Sequence, residues 1–305
     1  MQQTTIRFPV EFSGIGLHSG KENKMRIIPA PENSGILFKY KNSLIKAICH
    51  NSFSFPLCSA LSDGKVRLFT VEHLLASLYA LNIDNAIIEL SEEEIPILDG
   101  SAIIFVQKIL ESGIRFFSTP RKRLIIRREI FCRHNDSYAI ARPSDSLSIK
   151  YTIDFRSRLI GKQSYSVKLS PERFIEEIAP ARTFCEFRDI EKMRDIGLIK
   201  GGSLENAIVV DDMRILNEKP LRFINEFVRH KILDAIGDIA LIGNETAGEF
   251  EFYKAGHGLN NNLIKEILSN PLNYEIIETN TDEFEREQKL LMVFANLTEI
   301  LTREK

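Results

Sequence analysis

The sequence predicts an α+β protein built from two similar units, and three observations carry that expectation. Its 305 residues are enough for two domains at roughly 150 residues each. A stretch near the middle, 116–123 (FFSTPRKR), combines a proline with a basic cluster between two patterned regions and reads as a solvated linker. Finally, Val71-x-His73 and Val228-x-His230 each set a histidine early in a helical pattern that a strand follows, a short internal repeat. The first unit is expected over 1–115, the linker over 116–123 and the second unit over 124–279.

In the first unit, Leu74, Leu75, Leu78 and Tyr79 follow helical spacing, and Thr70 is placed to cap the helix that they define. Residues 85–90 (NAIIEL) then read as a strand. In the second unit, a helix is expected over 226–241, with Val228, Ile232, Ala235, Ile236, Ile239 and Ile242 on its apolar stripe and Gly243 closing it. Alternation makes 249–253 (EFEFY) a strand. Beyond residue 280, Leu290, Leu291, Phe294, Leu297 and Leu301 are spaced as on an amphipathic helical tail.

Composition narrows the function classes. Forty Lys plus Arg against forty-two Asp plus Glu give a net charge of −2, so no global field selects nucleic acid or an anionic membrane. Apolar runs fall far short of the roughly 18 residues that a membrane span needs. The first residues lack the charged, apolar and small-residue blocks of a secretory signal, so the expected location is the cytoplasm. The four cysteines form no CxxC pair and suggest neither a disulfide framework nor a thiolate zinc knuckle.

The chemistry concentrates on the second predicted helix. His230, Asp234 and Asp238 recur every four residues and line one stripe, set apart from the core stripe. An arbitrary polar stripe is a solvated face, but Leu233 and Leu241 project on the same side, so protein should cover it and its carboxylates need a cation. A histidine and a carboxylate at i and i+4 can reach one metal, and catalytic zinc takes three protein ligands and leaves a position for water. The third ligand is open among His18, His50, His73, His134 and His257. His73 is attractive because Glu72 beside it can serve as a general base.

Seven ordered segments extend this pattern: 14–20 (GIGLHSG), 70–73 (TVEH), 95–102 (IPILDGSA), 181–184 (ARTF), 200–212 (KGGSLENAIVVDD), 225–238 (NEFVRHKILDAIGD) and 254–262 (KAGHGLNNN). Together they closely resemble the UDP-3-O-acyl-N-acetylglucosamine deacetylases of lipid A biosynthesis, over about residues 6–270. The resemblance implies two α+β domains whose helices are sandwiched between two sheets, with the active site at the junction. It implies metal-dependent hydrolysis of the N-acetyl group of the acylated UDP-sugar, releasing acetate and a free amine. Matched position by position, the metal ligands are His73, His230 and Asp234, for zinc or iron(II), one ion per chain. Glu72 matches the general base, His257 the catalytic histidine, Asp238 the acid that orients it, Thr183 the hydroxyl at the reacting carbonyl and Lys231 a cation beside the metal. Phe155, Phe184, Asp189 and Lys254 match substrate contacts, and Gly202, Ser203, Leu204, Ala207 and Val209 match the acyl passage, within an insert at about 186–212.

His18 is expected near the site, either functional or as a hydrogen-bonded loop histidine, and Cys58 as a small buried residue. The sequence departs from the family at Cys185 and Glu186, which stand before Phe187 where a small residue and an aromatic are usual, altering the shape and polarity of the acyl site. The expected partner is the acylated UDP-sugar, with no nucleic acid, and the expected state is a monomer. Two alternatives are a zinc amidase for another nucleotide sugar and a non-enzymatic sugar-nucleotide binder. Glu72 and His257 together argue against the second, since binding alone requires neither a base nor an acid.

Overall fold

The computed structural model describes residues 2–279, so the predicted helical tail over 280–305 lies outside the described residues. Two sheets organise the rest. A five-stranded sheet runs in the order Val10–Ile15, Glu22–Pro29, Ala86–Leu90, Ile36–Tyr40, Ser43–Lys46. An eight-stranded sheet is centred on Glu245–Tyr253, with Ile114–Ile126 and Gln2–Ile6 to one side and Ser137–Arg142 and Ile130–His134 to the other. Alternation explains these strands: Glu22–Pro29 buries Met25 and Ile27 and exposes the residues between them.

Among the described residues six α-helices accompany the sheets: α1 (Glu72–Ala80), α2 (Ile103–Glu111), α3 (Pro171–Arg173), α4 (Phe187–Asp195), α5 (Glu226–Ile239) and α6 (His257–Ser269). α1, α2, α5 and α6 fill the space between the sheets, as the α+β sandwich requires. Phe105 of α2 packs against Phe12 of the smaller sheet, with ring centroids 5.2 Å apart. On the other side α5 lies against Leu147–Asp154 and Lys162–Lys168, and α6 against Ile130–His134. The most intimate helix pair is α1 with α5, the two helices that carry the doubled histidine pattern. As expected, α5 runs through a short 3₁₀ turn into Gly243, whose φ of 81° is left-handed.

Two expectations are corrected. Residues 116–123 are not a linker loop but part of one 13-residue strand, Ile114–Ile126. Its first half pairs antiparallel with Gln2–Ile6 and its second half with Tyr274–Thr279. The basic cluster concealed the strand because Arg121 is buried, not solvated: it bonds Asp84 at 2.6 Å and Asn82 at 2.5 Å and pairs with Glu245 at 3.4 Å. Nor is Thr70 the cap of α1. Val71 occupies that position without a side-chain cap, and the Thr70 hydroxyl instead donates to Glu94 at 3.0 Å.

Candidate active site at the crossing of two helices

Where α1 crosses α5, Gly237 faces the backbone of Glu72. This close approach brings the first turn of α1 alongside the polar stripe of α5. His230, Asp234 and Asp238 are all buried there, and Leu233 and Leu241 are fully buried beside them, so the stripe is covered as its composition suggested.

His73 and His230 meet edge to face, with ring centroids 5.0 Å apart at 87°. Their Nε2 atoms converge on one oxygen of Asp234, Oδ1, at 3.6 Å and 3.4 Å. The Nδ1 of His230 faces the carbonyl of Ala181 at 3.1 Å; donating its proton there leaves the Nε2 lone pair aimed at a carboxylate. Burial drives the His230 imidazole down to about 3, so it is neutral. Burial alone would raise Asp234, but Lys231 and His230 outweigh it and hold the carboxyl well below its usual range; Lys231 Nζ donates to Asp234 Oδ2 at 2.6 Å. Buried electron-pair donors facing one another repel unless a cation sits among them. Two imidazoles and a carboxylate, with ligand atoms all within 4.8 Å of one another, fit a divalent metal of borderline softness.

A second cluster adjoins the first. Ligand atoms of Glu72, Asp234 and His257 also lie within 4.8 Å of one another. Burial raises the Glu72 carboxyl, and the backbone N–H of Ser59 donates to its Oε2 at 3.0 Å. His257 opens α6, and its Nδ1 lies 3.0 Å from Asp238 Oδ2. Burial alone would lower His257, but Asp238, followed by Glu72 and Asp234, reverses that and holds the imidazole up at about 9. It is therefore an imidazolium at neutral pH, with Nδ1 occupied by Asp238 and Nε2 turned toward the site, 4.0 Å from Asp234 Oδ2. Asp238 is completely buried and also accepts from Asn260 Nδ2 at 2.8 Å and from the Ser59 hydroxyl.

Both clusters open into a cavity of about 1220 Å³, larger than the 300–1,000 Å³ typical of small-ligand sites. Glu72, His73, Thr183, His230, Lys231, Asp234 and His257 line it, as do Phe155, Phe184, Asp189 and Lys254, and so do Gly202, Ser203, Leu204, Ala207 and Val209. Asp238 stands back from the cavity, behind His257, and His50, one of the candidates for the third ligand, lies away from it on the turn Cys49–Asn51. Thr183 is set by parallel pairing of Phe184–Glu186 with Ile208–Val210 and by its N–H to Gly100 at 2.8 Å. Gly100 is left-handed, and a Cβ there would lie 2.1 Å from the Asn206 carbonyl, so the turn admits no side chain.

The departures from pattern resolve locally. Glu186 lines the cavity yet is buried, accepts from Ser157 N at 3.3 Å and pairs with Arg188, so its charge is compensated. Burial pushes the Cys185 thiol up to about 11, leaving it a neutral wall. Cys58 is buried and uncharged, its thiol pushed up mainly by burial. His18 lines the cavity, and neither ring nitrogen finds a partner among the described residues, so the hydrogen-bonded loop reading fails for its ring.

Sequence reasoning missed Ser59, Asn260 and the buried pair of Glu226 with Arg182, at 2.9 Å. A lone serine in a strand offers no periodic signal. Asn260 and Glu226 did lie inside segments quoted for their motifs, and their burial was the missing information.

Comparison with known proteins shows the family. A family model described as LpxC: UDP-3-O-acyl N-acetylglycosamine deacetylase matches residues 3–269. A UDP-3-O-acyl-N-acetylglucosamine deacetylase of Campylobacter fetus is 43% identical over 280 residues, covering 91% of this chain and 95% of the relative. That of a Nitratiruptor species is 44% identical over 283 residues, covering 92% and 95%. That of Nautilia profundicola is 41% identical over 297 residues, covering 97% and 100%. A match this long, across both sheets and the helices between them, means that the chain belongs to the UDP-3-O-acyl N-acetylglycosamine deacetylase family.

Proposed function

We propose that this protein hydrolyses the N-acetyl group of a UDP-3-O-acyl-N-acetylglucosamine, giving acetate and the free amine, the committed step toward lipid A. The observation that carries this reading is the convergence of His73 and His230 on Asp234 beside a base and an imidazolium, at one wall of a cavity with apolar lining. His73, His230 and Asp234 would hold the metal, zinc or iron(II). When bound, such an ion supplies Lewis-acid polarisation of a carbonyl and activation of water.

The remaining work falls to the chain. Glu72, with Oε2 held by Ser59 N–H, takes the proton from the attacking water at its other oxygen, and its raised pKa suits a base that works near neutrality. The Thr183 hydroxyl donates to the acetyl oxygen as charge gathers there, and Lys231 adds positive charge beside it. An amide nitrogen leaves only when protonated, and the His257 imidazolium delivers that proton from Nε2 while Asp238 keeps Nδ1. Phe155 and Phe184, in edge contact at 5.4 Å, with Asp189 and Lys254, receive the uridine diphosphate. The segment Gly202 to Val209 lines the acyl passage.

No helix among the described residues is long and apolar enough to cross a membrane. Four free thiols favour a cytoplasmic location, and a monomer suffices because one chain supplies every group named. Acetate release from the acylated UDP-sugar, with metal removed and restored, tests the reading. Equal turnover of a sugar lacking the acyl chain would point instead to an amidase for another nucleotide sugar, and no release under any metal would reject catalysis of this step.

A further inference from the structure

We propose that Ser59 is a positioning residue that locks Glu72 and His257 of the proposed deacetylase into one geometry. It sits on the strand Cys58–Ser62 and is completely inaccessible to solvent. Its backbone holds the start of α1: the N–H donates to Glu72 Oε2 at 3.0 Å, and the carbonyl accepts from Val71 N at 3.3 Å. Its side chain holds the opposite half of the site. The hydroxyl donates to Asp238 Oδ1 and lies 3.1 Å from His257 Nδ1.

Glu72 and Asp238 thus stand on crossed helices from the two halves of the chain, and Ser59 touches both. With Asn260 Nδ2 and His257 Nδ1, the hydroxyl completes a set of three donors around a carboxylate that is shut off from water. Losing the hydroxyl leaves Oδ1, among the described residues, with only His257 Nδ1, at 3.2 Å, and frees Asp238 to turn within its socket, carrying the imidazole with it. Because neither Ser59 nor Asp238 lines the cavity, the effect belongs to the chemical step and not to substrate capture.

The inference rests on the deacetylase reading for its kinetic test and on geometry alone for a second one. In the full-length, metal-loaded protein, Ser59→Ala should lower kcat about 10- to 100-fold, the usual loss for an orienting partner, with KM and metal content within about twofold of wild type. Ser59→Thr, which keeps the hydroxyl, should recover kcat to within about threefold. Ser59→Ala combined with Asp238→Asn should be little worse than the poorer single variant, because both act through one imidazole. Independently of substrate, the low-field proton resonance of His257 Nδ1–H should shift in Ser59→Ala and stay in Ser59→Thr. Equal impairment of the alanine and threonine variants, a loss confined to KM, or an unmoved resonance would overturn the proposal. A shifted resonance in a protein that releases no acetate would leave the positioning role standing and reject only the deacetylase reading.

Discussion

A methyl group added to Gly237 would lie 2.2 Å from the carbonyl oxygen of Glu72, closer than any real contact. The base of the site therefore depends on the absence of a side chain on the opposing helix, one turn after Asp234. In an open helix, Gly→Ala gains up to about 1 kcal/mol. Here Gly237→Ala should instead cost about 1–3 kcal/mol through overpacking and should lower kcat by displacing Glu72. Urea denaturation and steady-state kinetics check both signs, and a stabilised, fully active variant would show that α1 does not need this approach.

Glu226 holds the other end of α5 to the segment that carries Thr183. Its buried carboxylate accepts from Arg182 N at 3.0 Å, Arg182 Nε at 2.9 Å and Arg222 N at 2.6 Å. Glu226→Ala strands the buried Arg182 guanidinium, and breaking such a pair costs about 3–5 kcal/mol. Ala181, whose carbonyl fixes the His230 tautomer, should loosen along with it, so metal affinity should fall as well. Calorimetry with metal titration checks the pairing of the two losses.

Removing the metal should leave a folded protein, because α1 and α5 keep complete apolar packing against their neighbours. Far-ultraviolet circular dichroism should be unchanged by chelation while Tm drops. Restoring metal at a hundred times its Kd should return about 2.7 kcal/mol by mass action. His230→Ala should lose metal, whereas Glu72→Gln should keep it and lose about 10²–10⁴ in kcat. A Glu72 variant whose metal content fell in step with its rate would make Glu72 a ligand.

The histidines and carboxylates were legible in the sequence because a helix converts spacing into a face: His230, Asp234 and Asp238 could only lie on one stripe, and the two leucines beside them showed it was covered. The rest lay beyond local pattern. Ser59 contributes through contacts to residues 179 and 198 positions away, and Arg121 disguised a central strand as a solvated linker because its three polar partners come from distant segments. Thr70 looked like a cap by residue type, yet its left-handed φ of 59° and its bond to Glu94 assign the hydroxyl to a turn instead.

The pH dependence follows from the two groups that must hold opposite protonation states. Glu72 has to be ionised, so kcat/KM should rise with pH through its pKa, which burial has raised. His257 has to be protonated, so kcat/KM should fall again as pH passes the pKa of the imidazole. Asp238 and the neighbouring carboxylates hold that value up at about 9, against a reference of about 6.5, so the alkaline limb should lie above 6.5. The same sign governs folding: the ion pair of His257 with Asp238 contributes its full stability below about 6.5 and loses it as pH rises through about 9. In Asp238→Asn the largest opposing charge is gone and burial of the imidazole prevails, so the alkaline limb should move down by about 1–3 pH units with metal content intact. His257→Gln should remove that limb together with most of the rate. Because the pair titrates as a unit, each limb reports the cluster and the variants assign it. An alkaline limb unmoved in both variants would exclude His257 as the acid and pass the role to Lys231, the lysine that donates to Asp234 at 2.6 Å.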